Sequence, residues 1–506
     1  MTIFHPTLFV SPETDLIGHL FIYAYIALLG CLSVYGFHRY MMVFLFYRHA
    51  KNAPKPKSNW KEYPRVTIQL PVFNELYVVE RLMDSVCKIE YPREKLDIQV
   101  LDDSTDETQE ICKKKVAEWK EKGLDISYLH RTDRTGFKAG ALEEGLKVCK
   151  GEFVAMFDAD FVPQADFLEK TIHYFTNPNI GCVQTRWGHI NRDYSLLTYV
   201  QSVFLDGHFI MEHAARNRSG RYFNFSGTAG MWRKQAIAEA GGWEHDTLTE
   251  DLDISFRSQL KSWDFVFIPE VETPAELPVD MNGLKSQQHR WVKGGMQTSK
   301  KLLGKVITAK IPLKVKSEGV VHLTGNTCNL MMLFLALLMF PVTYFRPLLN
   351  LEHSAVLDLA IFMLATTSVC VYYVSAQMEI YGFRQVIRAI FHIPILLAVG
   401  IGLCVSNARA AIEGLISKQS GEFVRTPKYM IENNGATIQK KKYKAKMSMK
   451  TVIAFIELAM AVGFLFIIGY SIEYQMYGAV PFQALFCIGF FYVAFLSFFQ
   501  GRLTTR

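Results

Sequence analysis

The nine cysteines of this 506-residue chain include no Cys-x-x-Cys pair, and most of them lie within apolar runs. This spacing excludes the common zinc-binding patterns and offers no disulfide framework, so buried free thiols are expected. A strong excess of one charge is also missing, because the net charge is only +7. The extra Lys and Arg residues cluster beside apolar stretches, which is the positive-inside pattern of membrane proteins. Nucleic acid is therefore not expected as a partner.

The composition is that of a membrane protein with a large polar region. Half of the residues are hydrophobic, a fifth are charged and the mean hydropathy is +0.10. A chain of this length is expected to form about two or three units. The first apolar stretch, about 16–46, has no Lys or Arg before it and is followed by Arg48, His49 and Lys51. It predicts an uncleaved spanning helix whose N-terminus lies outside, and not a signal peptide.

Between about residues 52 and 294, short apolar runs alternate with amphipathic helical patterns. The strand candidates are 66–70, 97–101, 126–130, 153–157 and 181–185, and two of the helical patterns are 76–89 and 107–122. The alternation predicts an α/β domain with a mostly parallel, doubly wound sheet. Ligands of such sheets bind beyond the carboxyl ends of the strands. Asp102-Asp103 and Asp158-Ala159-Asp160 each follow a strand candidate at that edge.

After this domain the chain becomes basic and then strongly apolar. Residues 295–318 predict interfacial amphipathic helices on anionic lipid. Apolar runs follow at about 319–345, 355–376, 387–405, 452–472 and 479–499. If every run crossed, the basic segment 423–450 would lie opposite the α/β domain, against the positive-inside rule. The run 387–405, which His392 and Pro394 interrupt, is therefore predicted to be interfacial or re-entrant.

This interpretation gives five crossings, with six as the alternative. The predicted units are a spanning helix and linker, the α/β domain, interfacial helices, two spanning helices with an interfacial or re-entrant helix, a basic segment, and two spanning helices with a short tail. Their boundaries are 1–51, 52–294, 295–318, 319–422, 423–450 and 451–506. Positive-inside places the α/β domain and the basic segment in the cytosol.

Asp158 and Asp160 form a candidate metal site. Side chains two residues apart on an extended segment project in similar directions, so both carboxylates can face one ion. Mg²⁺ and Mn²⁺ prefer carboxylate and phosphate oxygens and would neutralise a bound diphosphate. Solvated loop carboxylates are the alternative, but the position directly after an apolar strand favours the metal site.

A nucleotide is expected at the same edge of the sheet. Asp102 or Asp103 can hold a ribose or a base, although Ser104 or Thr105 could equally cap the following helix. The loop with Pro71, Asn74 and Glu75 is the matching place for the base. Lys138, at a helix start, can reach a phosphate with help from the helix N-terminus.

Two further motifs supply a base and an aromatic platform. In Thr249-Glu250-Asp251, Asp251 is predicted to deprotonate an attacking hydroxyl, with Glu250 and Asp253 as alternatives. The alternative is that these acidic residues only stabilise the N-terminus of a helix and have no catalytic role. Gln287, Arg290 and Trp291 join a charge for a diphosphate to an indole that can stack on a sugar.

Taken together, these motifs resemble the processive, inverting family 2 glycosyltransferases of the cellulose synthase type. The resemblance covers residues 66–295 and is closer to the cellulose-synthase-like A and C group, which includes the mannan and glucomannan synthases. The strings that carry it are Gln99-Val-Leu-Asp-Asp-Ser-Thr-Asp106, Phe137-Lys-Ala-Gly-Ala-Leu142, Phe157-Asp-Ala-Asp-Phe161, Val183-Gln-Thr-Arg-Trp187, Ser226-Gly-Thr-Ala-Gly230, Ala240-Gly-Gly-Trp243 and Gln288-His-Arg-Trp291. It implies a GT-A-like, nucleotide-sugar-binding glycosyltransferase domain combined with transmembrane helices.

The resemblance also implies roles for particular residues. Nucleotide-sugar binding is implied for Pro71, Asn74, Glu75, Asp102, Asp103, Lys138, Asp158, Gln287 and Arg290. Acceptor binding is implied for Ser226, Gly227, Thr228, Glu250 and Trp291, with Asp251 as the base and Asp158 and Asp160 as the ligands of Mg²⁺ or Mn²⁺. Phe423, Val424, Arg425, Thr426 and Lys428 resemble the family's gating loop, which closes over the donor, although Arg425 departs from the commoner form.

The implied function is polymerisation of hexose into a β-linked polysaccharide that is threaded through the protein's own helices. UDP-glucose is the favoured donor and GDP-mannose the other possibility; the growing polysaccharide and membrane lipids are the remaining partners. The expected location is the plasma (inner) membrane, with the catalytic domain in the cytosol. The alternative is a non-processive enzyme that glycosylates a lipid such as ceramide or diacylglycerol.

Overall fold

The computed structural model describes residues 12–417, 426, 428–431 and 448–503. In this part of the chain a seven-stranded sheet forms the centre of the α/β domain. Its strands are β1 Val66–Val72, β2 Leu96–Asp102, β3 Ile126–His130, β4 Phe153–Met156, β5 Ile180–His189, β6 Gly230–Arg233 and β7 Asp264–Ala275. Their order across the sheet is β3-β2-β1-β4-β6-β5-β7.

The predicted α/β domain with a mostly parallel sheet is confirmed. Strands β1 to β4 pair in parallel, β5 pairs in parallel with β7, and only β6 runs antiparallel to its neighbours β4 and β5. Sequence reasoning did not predict β6 or β7. Strand β7 contains Pro269 and Pro274, which interrupt a strand pattern but are tolerated because β7 lies at an edge of the sheet.

Both faces of the sheet are covered, as expected when crossover helices flank parallel strands. Strand β1 therefore buries its polar side chains as well as its apolar ones, and these polar groups are paired across to β2. Thr67 donates to Asp97 at 2.9 Å, and Gln69 donates to Gln99 at 3.0 Å. This pairing keeps buried polar groups satisfied and fixes the register of the central strands.

Helices surround the sheet and connect its strands. The helices that precede β7 in the chain are α1 Pro12–Arg48, α2 Val79–Val86, α3 Thr108–Glu121, α4 Phe137–Val148, α5 Phe167–Ile172, α6 Leu196–Asp206, α7 Ala214–Arg218, α8 Lys234–Glu239 and α9 Glu250–Leu260. A π-helix, Gly207–His213, joins α6 to α7. The later helices are α10 Met281–Thr308, α11 Leu313–Thr324, α12 Thr327–Leu348, α13 Ala355–Tyr381, α14 Phe383–Gly402, α15 Cys404–Ile416, α16 Ser448–Glu473 and α17 Val480–Leu503.

Six of the described helices are long and apolar enough to cross a membrane, judged by length and composition: α1, α12, α13, α14, α16 and α17. The predicted unit boundary between 294 and 295 falls inside the continuous helix α10. Gly294 and Gly295 are not a break in this helix. They lie where neighbours approach closely, because a Cβ on Gly294 would meet the Thr249 side chain at 2.6 Å and one on Gly295 would meet Asn326 at 2.2 Å.

Helices α14 and α15 stay close to the α/β domain. Arg388 near the start of α14 pairs with Asp193 at 2.6 Å. Glu413 near the end of α15 lies 3.0 Å from His289 of α10. Both ends of the α14–α15 pair therefore contact the α/β domain.

Candidate active site

A cavity of about 200 Å³ opens at the carboxyl ends of β1, β2 and β4. Most of the residues predicted for the site line it, although they come from distant parts of the sequence. They are Pro71, Glu75, Asp103, Lys138, Asp158, Asp160, Ser226, Gly227, Glu250, Asp251, Gln287, Arg290, Trp291, Thr426 and Lys428. The structure thus brings Asp103, the pair Asp158 and Asp160, the pair Glu250 and Asp251, and the motif 287–291 into one cavity.

Among the described residues, three that were predicted to bind the nucleotide sugar or the acceptor do not line the cavity. Asp102 is fully buried in β2, where its carboxylate accepts from the Tyr128 hydroxyl at 2.7 Å. Asn74 accepts from the backbone of Thr105 at 2.8 Å, and Thr228 accepts from the backbone of Asp158 at 2.9 Å. These three side chains form the supports of the surrounding loops, and of the two neighbouring aspartates only Asp103 faces the cavity.

The phosphate-binding candidate Lys138 lies in the first turn of α4 and pairs with the metal-binding candidate Asp158 at 2.5 Å. Its ammonium also donates to the carbonyl of Gly227 at 2.9 Å. Burial lowers the pKa of Lys138, but the charges of Asp158 and Glu250 outweigh this effect and hold that pKa above its usual range. Lys138 is therefore charged.

Asp158 and Asp160 follow β4 and have separate cationic partners. Asp160 pairs with Lys428 at 2.7 Å, while Asp158 has Lys138. Burial raises the pKa of Asp158, and Lys138 only partly offsets that rise. Two carboxylates that border a cavity supply the hard oxygen ligands that Mg²⁺ or Mn²⁺ requires, so this donor set fits the predicted metal.

Glu250 and Asp251 form the first turn of α9 and share a buried environment. Burial, together with the neighbouring charge of Glu250, raises the pKa of Asp251 to about 7. Burial also raises the pKa of Glu250. The loop before β6 approaches Asp251 at Gly227, where φ is +81° and a Cβ would lie 3.0 Å from the carboxylate. A carboxyl group with a pKa near neutrality is suited to accept a proton.

Asp253, an alternative base in the sequence, has a different environment. It is fully buried, pairs with Arg257 at 2.7 Å and does not line the cavity. Residues that are two positions apart on a helix are separated by roughly 200° of rotation, so Asp251 and Asp253 face opposite sides of α9. Of the three carboxylates considered for the base, only Asp251 and Glu250 border the cavity.

The first turns of α10 supply the aromatic and cationic wall. Arg290 donates to the Thr426 hydroxyl at 2.8 Å, and burial lowers the pKa of Arg290 to about 10. The ring of Trp291 lies 6.5 Å from that of Trp187, which sits at the end of β5. Trp187 ends the string Val183-Gln-Thr-Arg-Trp187, but nothing in the sequence distinguishes it from a core residue.

Segment 428–431 is anchored beside the cavity. Glu276, directly after β7, accepts from the backbone of Tyr429 at 2.8 Å and of Met430 at 3.0 Å. Its carbonyl also accepts from Lys428. Sequence reasoning missed Glu276, because a single glutamate after a proline-containing strand carries no signal. Phe423, Val424 and Arg425 of the predicted gating loop lie outside the described residues.

This fold, with a cavity of carboxylates, cations and indoles at the edge of its sheet, defines a glycosyltransferase domain. Residues 64–294 match the family described as "Glycosyltransferase like family 2". The resemblance inferred from the motifs is thereby confirmed.

Curated relatives are similar over about half of this chain. The chain is 42% identical over 259 residues to glucomannan 4-beta-mannosyltransferase 1 of Cyamopsis tetragonoloba, covering 50% of this chain and 49% of that protein. It is 40% identical over 276 residues to glucomannan 4-beta-mannosyltransferase 1 of Oryza sativa subsp. japonica, covering 54% and 52%. The chain thus spans about half the length of these relatives.

Among solved structures, one similar chain is the mannosyltransferase PcManGT from Pyrobaculum calidifontis, in complex with GDP-Man and Mn²⁺. The TM-score is 0.49 and the identity 19%, over 77% of this chain and 98% of that one.

Proposed function

We propose that the protein is a membrane-embedded, inverting glycosyltransferase that transfers mannosyl residues from a nucleotide sugar to a growing β-linked polysaccharide. The observation that carries this proposal is the convergence of Asp103, Asp158, Asp160, Asp251 and Trp291 on one cavity. The relatives are named as mannosyltransferases, which favours GDP-mannose over UDP-glucose, the donor preferred from the sequence.

The donor end of the cavity is proposed to lie between Asp103 and Arg290. Asp103 is held by Arg131 at 2.6 Å, which orients its carboxylate for a ribose or base. Lys138 and Arg290 provide the positive charge that attracts the diphosphate. Asp158 and Asp160 would hold Mg²⁺ or Mn²⁺, which when bound neutralises charge on the leaving diphosphate.

The acceptor end is proposed to lie between Asp251 and Trp291. An indole can stack on the face of a sugar and hold one of its hydroxyl groups toward the base. Asp251 then removes the hydroxyl proton as the oxygen attacks the anomeric carbon from the face opposite the diphosphate. A single attack of this kind inverts the configuration at that carbon, so the product is a β-linkage from an α-linked donor.

The proposed topology has five crossings, with α14 and α15 held at the membrane surface. The contacts from Arg388 to Asp193 and from Glu413 to His289 support this arrangement, because both ends of the α14–α15 pair meet the catalytic domain. The basic segments on this side support a cytosolic catalytic domain by the positive-inside rule. The plasma (inner) membrane remains the proposed location.

The test is a product assay on the purified full chain in lipid nanodiscs, given labelled GDP-mannose or UDP-glucose separately, with Mg²⁺ or Mn²⁺. We expect a labelled polymer from GDP-mannose that β-mannanase digests. A labelled single-hexose lipid in the organic phase would instead establish the glycolipid alternative. Polymer formed from UDP-glucose alone would overturn the mannosyl assignment while leaving the transferase class intact.

A further inference from the structure

One face of α10 contacts the segment that carries the proposed base. Gly294, Gln297, Thr298 and Lys301 are spaced by one and two helical turns, so they lie on the same side of the helix. This side faces residues 244–253, which lead into and begin α9. Arg290 and Trp291 precede these residues by about one turn on the same continuous helix.

The first two contacts are made to the backbone just before the base. A Cβ on Gly294 would lie 2.6 Å from the Thr249 side chain and 2.8 Å from the Thr249 nitrogen, so the approach requires glycine. Gln297 accepts from the backbone N–H of Leu248 at 3.0 Å. The backbone that leads to Glu250 and Asp251 is thus held directly against α10.

The other two contacts are made by side chains. The hydroxyl groups of Thr298 and Thr249 lie 3.1 Å apart. The Lys301 ammonium lies 2.5 Å from Glu244, 2.7 Å from Asp246 and 2.9 Å from Asp253. One lysine therefore ties the loop before α9 and the first turn of α9 to the same helix.

We propose that this face of α10 sets the position of Asp251 relative to the acceptor held at Trp291. Gly294, Gln297 and Lys301 are then positioning residues that act through the base and contact no substrate. This inference rests on the proposed role of Asp251. Its physical reason is that a rigid helix carries both the acceptor platform and the supports of the base, and small misplacements of reacting groups strongly reduce rate.

The first test compares two glycine substitutions on the same helix. Gly294→Ala inserts a methyl group against Thr249, whereas a Cβ on Gly304 has no described atom within 4 Å. We expect Gly294→Ala to lower kcat by about tenfold to a hundredfold, with the donor KM within about twofold of wild type. Gly304→Ala should leave both constants unchanged.

A second test keeps the inference testable if Gly294→Ala does not fold. Gln297→Met removes the acceptor of the Leu248 N–H at nearly constant volume, and we expect about a tenfold lower kcat, the effect of losing one buried hydrogen bond near the reacting groups. Gln297→Glu keeps an acceptor oxygen and should recover most of the loss. A purely structural role for Gln297 would lower the yield and the melting temperature, and kcat would not fall selectively while the donor KM stays near its wild-type value.

Two outcomes would overturn the inference. Folded Gly294→Ala and Gln297→Met variants with wild-type kcat would reject the positioning role while leaving the proposed transfer intact. Wild-type protein that transfers no hexose from either donor would reject the proposed function and this inference with it. The wild-type measurement, made first in the same nanodiscs, distinguishes the two failures.

Discussion

Two clusters of carboxylates lie on opposite sides of α9 and differ in what surrounds them. The cavity cluster contains Asp158, Asp160, Glu250 and Asp251, and the closed cluster contains Glu244, Asp246 and Asp253. In the closed cluster Lys301 lies within 2.9 Å of all three carboxylates. In the cavity cluster Lys138 and Lys428 each make one close contact, at 2.5 Å to Asp158 and 2.7 Å to Asp160.

The comparison shows that acidic residue type does not by itself indicate chemistry. Asp251 and Asp253 are two positions apart in sequence, yet Asp251 borders a cavity and Asp253 is ion-paired with Arg257 and Lys301. In the closed cluster the Lys301 ammonium lies among all three carboxylates and already neutralises part of their charge. In the cavity cluster the shortest contact of each lysine is to one carboxylate, and the adjoining cavity can accommodate a metal ion or a reacting hydroxyl.

The largest effect that distinguishes the clusters is expected from Asp251→Asn. Loss of a general base lowers rates by about a hundredfold to ten-thousandfold, so transfer should fall by at least about a hundredfold. Donor affinity, measured by calorimetry, should stay within about twofold of wild type because the diphosphate does not contact this side chain in the proposed site. Retained turnover with weakened donor binding would reject the assignment of the base.

The next effect is expected from Asp160→Ala, which removes one proposed metal ligand. Transfer should fall by at least about tenfold and should no longer respond to titration with Mn²⁺ or Mg²⁺, because a site with one carboxylate holds the ion weakly. Asp246→Ala in the closed cluster is the matched control and should keep the metal response. Normal stimulation by metal in the Asp160 variant would show that the ion binds elsewhere.

A pH profile tests the environment of the base. The pKa of Asp251 is raised to about 7, and the residue acts as a base only when ionised, so transfer should decline as pH falls through about 7. Glu250→Gln removes a neighbouring negative charge that raises this pKa. The acid limb of the pH–rate profile should therefore move to lower pH in that variant. An unmoved limb, or one moved upward, would show that another group controls it.

Much of the cavity cluster could be predicted from the sequence because its members follow strands or begin helices. Strands β1 to β4 agree with the apolar runs to within one or two residues; Asp103 directly follows β2, and Asp158 is the second residue after β4. Position relative to a strand end is therefore a physical signal. The same rule could not separate Asp102 from Asp103, since the choice depends on which strand residue faces Tyr128.

The closed cluster and its contacts could not be predicted in the same way. The partners of Lys301 lie about fifty residues away in sequence, and their meeting depends on how α9 packs on α10. The close approach of Gly294 to Thr249 likewise has no signal in the sequence, because it depends on the packing of α10 against the segment before α9. Tertiary proximity of this kind leaves no periodic pattern.

The smallest effect is expected from Asp246→Asn. The Asp246 side chain is 57% exposed, and its contact with Lys301 is one of three that this lysine makes. Exposed ion pairs contribute about 0–1 kcal/mol, so the melting temperature should change by less than about 2 °C and kcat by less than about twofold. Because Lys301 keeps Glu244 and Asp253, the segment before α9 should stay in place. A loss comparable to that of Asp160→Ala would mean that the two clusters do not differ as their surroundings indicate.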